Sequence, residues 1–190
     1  VLEVQTLADA AAAVMTGAVA GTPPTKAQLE ALGITGVTDA NLAAVQAAIA
    51  ATADDGTGVD TLAELQAVVN VGTRNVAPTG TNATFSMAED GSKTFTAADF
   101  GFSDTNGNSL SAVIITSLPT AGTLKLNGTN VTANQSIAVA DLGNLLFAPA
   151  ANANGTGYTT IGFKVQDNGG TANSGVDTST TARSEEHTSE

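Results

Sequence analysis

Residues 88–110 read AEDGSKTFTAADFGFSDTNGNSL, and this stretch decides how the second half of the chain is interpreted. An acidic pair, Glu89-Asp90, precedes a short alternating run, and the stretch ends in Asp104-Thr-Asn106-Gly-Asn108. Oxygen-bearing side chains at every second position beside a glycine turn suit a hard cation such as calcium. The alternation and the turn residues point to short strands rather than helix.

The regime around this stretch is β-rich. Candidate strands are 83–87, 93–96, 112–117, 123–126, 136–139, 145–148 and 159–166, separated by turn signals such as Asn127-Gly128 and Asn154-Gly155. Short antiparallel strands in that number predict a two-layer sandwich, and Pro119 and Pro149 fall in connections where proline is tolerated.

Upstream of about Asn70–Pro78 the composition changes to Ala/Leu-rich segments with helical spacing. Residues 7–19 form one expected helix. Thr25 with Gln28 makes a capping box, with Leu29 and Leu32 on one face and Gly33 as the stop. Thr38 caps a second run with Leu42, Val45 and Ile49 on one face, and Val37 can staple onto Leu42. Thr61 with Glu64 caps a third, carrying Leu62, Leu65, Val68 and Val69. The expected organisation is therefore α + β in two domains: a helical bundle or spacer over 1–72, then an antiparallel β-sandwich over 73–182.

The last eight residues, RSEEHTSE, break this pattern and contain the only histidine, His187. The string reads as the conceptual translation of a sequencing-adapter oligonucleotide. Residues 183–190 are accordingly expected to be a non-native tail, and the sandwich to lack its last strand. The chain has no opening methionine and reads as an internal fragment.

Composition narrows the function classes. Eighteen acidic residues against six Lys and Arg give a net charge of -12; without the tail, which holds one Arg and three Glu, it is -10. Such a surface repels nucleic-acid phosphates and anionic membranes and attracts divalent cations. No run approaches the roughly 20 apolar residues of a membrane helix. With no cysteine and no histidine outside the tail, the commonest nucleophile and base are missing, and an enzyme is not expected. Aromatic content of 4% leads to the expectation of a core built on Ala, Val, Leu and Ile.

Six phrases in consistent order carry a family resemblance: Asn75-Val-Ala-Pro78, Ala88-Glu-Asp90, FTAADFGFSD over 95–104, ITSLPTAGTLKLNG over 115–128, FAPAANANGTGY over 147–158 and FKVQDNGG over 163–170. Together, over about residues 75–182, they resemble the cadherin-like tandem repeats of large bacterial adhesins and RTX-type surface proteins. The resemblance implies a Greek-key, cadherin/Ig-like sandwich, with calcium near the junctions between repeats. Its motifs nominate Asn75, Glu89, Asp90, Asp104, Asn106 and Asp167 as calcium ligands. Two departures from the family pattern remove negative charge and imply weak affinity or an empty site. Val76 stands where the linker usually carries aspartate, and Asn106 and Asn108 stand where stronger binders have aspartates.

Without the resemblance, Asp104-Thr-Asn-Gly-Asn has two readings, a cation loop or a plain turn. An EF-hand is excluded: glycine falls at 107 and the twelfth residue would be Ile115. The Asp54–Asp60 loop reads as a capped connection, and Asp55, Asp60 and Glu64 would be its ligands if it held calcium.

The expected function is a non-enzymatic, adhesive or structural segment of a secreted or surface-anchored bacterial protein, extracellular, with neighbouring repeats of the same chain as partners. The rival readings are a module gripping a host serum protein or glycan, and an accessory domain of an exported enzyme.

Overall fold

The computed structural model describes residues 23–52, 61–88, 90–153 and 155–180, together with the backbone of 183–189. The expected helix over 7–19 and the Asp54–Asp60 loop lie outside these residues. The chain divides into two compact units, Val1–Arg74 with Ala172–Ser174, and Asn75–Thr171 with Gly175–Glu190.

Local capping sets the helices of the first unit. The Thr25 hydroxyl accepts from the Gln28 amide at 3.3 Å while the Gln28 side chain accepts from the Thr25 amide at 2.7 Å. This pair opens α1, Lys26–Ala31. Thr61 and Glu64 form the same reciprocal pair, at 3.2 and 2.9 Å, ahead of α3, Leu62–Gly72. Between them, α2 spans Leu42–Ala50. Thr38 does not cap α2 directly; it exchanges bonds with Asn41, and that turn leads into the helix. Leu29, Ile34, Val37, Val45, Ile49, Leu65 and Val69 form the core, with Leu42 and Val68 packed against it. Leu62 departs from the expected apolar face and is exposed.

Among the described residues the second unit contains nine strands: β1 Ala83–Met87, β2 Lys93–Thr94, β3 Leu110–Ser117, β4 Thr123–Leu126, β5 Thr129–Asn130, β6 Gln135–Ala138, β7 Leu145–Ala148, β8 Gly155–Asp167 and β9 Arg183–Ser189. They make a five-stranded sheet, ordered β1-β9-β8-β3-β6, and a four-stranded sheet, ordered β2-β7-β4-β5. All ladders are antiparallel except β1 with β9, which is parallel. With its short helices and mainly antiparallel sheets, the chain is of mixed α and β character. Among the described residues no helix is long and apolar enough to cross a membrane.

Arg183–Ser189, the segment expected to be a non-native tail, is placed as β9 between β1 and β8. Its polar sequence has no apolar alternation, so nothing local announced it as a strand. The core is also more aromatic than composition implied: four of the six phenylalanines are fully buried. Phe100 stacks on Phe95 with ring centroids 5.7 Å apart and meets Phe163 edge-on at 5.0 Å. Phe95 donates its amide to Leu145 in β7, whereas Phe163 lies in β8, so Phe100 links the two sheets.

Phe100 is held by a short turn. Its C-terminal residue Gly101 has φ +51, and a Cβ there would collide with the Thr81 side chain. At its start, Asp99 accepts from the Thr96 amide and hydroxyl at 2.7 and 2.9 Å and from Lys93 Nζ at 2.7 Å. Partial burial pushes the Asp99 carboxyl up, but the Lys93 bond, the two Thr96 bonds and the Lys93 charge outweigh it and hold the group below its ordinary value of 3.8.

Phe100→Ala should cost about 3–5 kcal/mol, read as a lower urea midpoint, because the cavity opens between the sheets. The depressed Asp99 pKa makes its contribution complete above its ordinary value and lost as pH falls through the folded value. The stability gap between the wild type and Asp99→Asn should therefore hold constant above about pH 5 and shrink below 3.8 in pH-dependent thermal melts.

Candidate cation site

The residue that organises this region is Asn75, the first of the second unit and only 6% exposed. Its side-chain nitrogen donates to Asp167 Oδ1 at 2.7 Å and to the carbonyls of Gly170 and Val176, each at 3.1 Å. Its oxygen accepts from Asn108 Nδ2 at 2.6 Å. One buried amide thus ties together the chain's entry, the Asp104 loop and the turn after β8.

Asp167, the last residue of β8, is 3% exposed. Its Oδ1 also accepts from the Gly169 amide at 2.7 Å, whereas its Oδ2 is buried without a hydrogen-bond partner. Asp104 repeats the arrangement: Oδ1 accepts from the Asn108 amide at 2.8 Å, and Oδ2 is buried without one. Buried carboxylate oxygens of this kind demand a positive partner, since an uncompensated buried charge is costly. Among the described residues, the ion pairs Lys26–Glu30, Lys26–Asp39 and Lys93–Asp99 all lie outside this cluster.

The sequence-nominated residues separate into two groups. Asn75, Asp104, Asn106 and Asp167 lie in one region, but Asn106 is exposed and its Oδ1 accepts from the Val76 amide at 2.6 Å. It fastens the loop to the linker. Asp90 does not join them. Its Oδ1 accepts from the Asn152 amide at 2.9 Å, beside the start of β8. Asp167 ends that 13-residue strand, so the two carboxylates are separated by on the order of 40 Å. The motifs that nominate Asp90 beside Asp104 and Asp167 carry no information on which end of β8 each one reaches. Glu89 lies outside the described residues, as do Asp55 and Asp60; Glu64 is engaged in capping Thr61.

Asn108 and Gly169 belong to the site although they were not nominated. Asn108 braces both Asp104 and Asn75. A Cβ on Gly169 would collide with Asn108 Nδ2 and stand 2.5 Å from Asn75 Oδ1, so only glycine fits. The Asp-Asn-Gly-Gly run of 167–170 was the available signal: a carboxylate followed by residues that let backbone approach it closely. Among the described residues, no three His, Cys, Asp or Glu side chains gather as a metal group. The two oxygens left without a hydrogen bond, Asp104 Oδ2 and Asp167 Oδ2, are carboxylate donors of the kind hard cations take, whereas the Asn75 oxygen and the Gly170 and Val176 carbonyls are already hydrogen-bonded.

No known protein family, curated protein or solved structure matches the chain.

Asn75→Ala should lower stability by about 2–4 kcal/mol in chemical denaturation. The substitution strips a donor from Asp167, Gly170 and Val176 at once and leaves Asn108 Nδ2 without its acceptor.

Proposed function

We propose that residues 75–182 are a Greek-key, cadherin-like sandwich repeat of a secreted or surface-anchored bacterial protein, non-enzymatic, preceded by a helical spacer and stiffened by calcium. The observation that carries this reading is the pair of buried, unpartnered oxygens, Asp104 Oδ2 and Asp167 Oδ2, joined through Asn75 and Asn108 at the point where the chain enters the unit. Asp104 and Asp167 would hold the ion, and Asn75 would keep them in place. Bound calcium supplies charge compensation and cross-links three segments distant in sequence.

Further support comes from the two-sheet arrangement with one shared apolar core. Two carboxylates are fewer than strong calcium sites use, so the ion exchanges readily, with Kd on the order of 0.1–1 mM as in extracellular modules. In this role the segment extends or presents an adhesive tip, and its partners are adjacent repeats.

A ligand that binds only the folded state stabilises it by RT ln(1 + [Ca]/Kd), about 1.4–2.7 kcal/mol at 10 mM calcium. The melting temperature should rise by about 5–15 °C and fall back with chelator. Asp104→Asn with Asp167→Asn should abolish the rise. A melting temperature indifferent to calcium in the wild type would sink the calcium claim.

A further inference from the structure

Four Asn-Gly pairs occur in the chain, at 106–107, 127–128, 154–155 and 168–169. Asparagine is thermolabile, and a following glycine exposes it further: with no Cβ, the glycine amide nitrogen can swing onto the asparagine Cγ. The fold treats these pairs unequally. Asn168-Gly169 is held at both ends, because the Gly169 amide donates to Asp167 Oδ1 at 2.7 Å and Asn168 Oδ1 accepts from the Ser109 amide at 2.9 Å. Asn127-Gly128 forms the two-residue turn between β4 and β5, with φ 49 and 80, and the pairs Leu126–Thr129 and Lys125–Asn130 pin it. Asn154 lies outside the described residues. Asn106-Gly107 differs. Both residues are exposed and outside any strand or helix, Gly107 has φ +79 with open space around it, and among the described residues nothing accepts its amide hydrogen. The Val76 amide donates to Asn106 Oδ1 at 2.6 Å. A donor on that oxygen draws electrons from Cγ and stabilises the oxyanion that forms when Cγ is attacked.

We propose that Asn106 is a self-modification site, at which the Gly107 backbone nitrogen converts the side-chain amide into a carboxylate. The Gly107 nitrogen gives its proton to hydroxide and bonds to Asn106 Cγ. The Cγ–Nδ2 bond then breaks, and Nδ2 takes a proton from water to leave as ammonia. Water opens the resulting five-membered imide at either carbonyl, giving aspartate or isoaspartate. The net change is a water consumed, an ammonia released and a negative charge gained; no oxidant or reductant takes part. The charge arises in the same loop as Asp104, where that loop is fastened to the linker beside Asn75. A carboxylate then stands at a position where an amide weakens the site, and calcium affinity rises with ligand charge. The conversion itself needs no cation; only its effect on affinity rests on the calcium reading.

The test holds the full chain at mildly alkaline pH, natively and in urea, and follows each Asn-Gly pair by peptide mass mapping with an isoaspartate assay. In the native chain Asn106 should convert at least about tenfold faster than Asn127 or Asn168, whereas in urea the pairs should converge. Asn106→Gln keeps the amide but requires a less favourable six-membered ring, so that position should stay unmodified. Asn106→Asp, the product made directly, should lower the calcium concentration at half-maximal thermal stabilisation about three- to tenfold, as an added charge near a divalent ion does. Conversion of Asn127 or Asn168 ahead of Asn106, or a native ranking that survives unchanged in urea, would overturn the proposal. An Asn106→Asp chain no more responsive to calcium than the wild type would refute the gain in affinity. A wild type that converts at Asn106 yet ignores calcium would uphold the modification and defeat the calcium reading alone.

Discussion

The second unit depends on a single ring. Phe100 lies between Phe95, bonded to the smaller sheet, and Phe163, in the larger one. Edge-on and stacked aromatic pairs contribute about 0.5–1.5 kcal/mol each beyond their buried area. Their larger effect here is geometric, because two separate sheets have no hydrogen bonds in common and must be aligned by side chains. The turn from Thr96 to Gly101 exists to place that ring, fixed by Asp99 at one end and by a glycine that admits Thr81 at the other.

Once the sheets are aligned, their loops converge on Asn75. A neutral amide can do what a lysine could not: it donates to Asp167 and accepts from Asn108 without neutralising either carboxylate. The positions of Asp104 and Asp167 are thereby fixed while one oxygen of each is left without a hydrogen bond.

What could be read from the sequence follows the range of each interaction. The capping pairs Thr25–Gln28 and Thr61–Glu64 are three residues apart and could be read directly. The strands Ala83–Met87, Thr123–Leu126 and Leu145–Ala148 fall where alternation and turn residues put them. Asp104 and Asp167 could be nominated from motifs, but the amide linking them spans 92 residues, from Asn75 to Asp167, and has no local signature. The phenylalanine cluster was hidden because composition counts rings without locating them. β9 was hidden for a different reason: its pairing is imposed by β1 and β8, against its own residue preferences.

The parallel ladder between β1 and β9 bears on tension. If the start of β1 is drawn one way and the end of β9 the other, the load runs along the strands, so Ala83 through Met87 resist together rather than peeling in turn. Under such a pull the resistance is set by the rate at which that ladder ruptures, and equilibrium stability ceases to be the relevant measure.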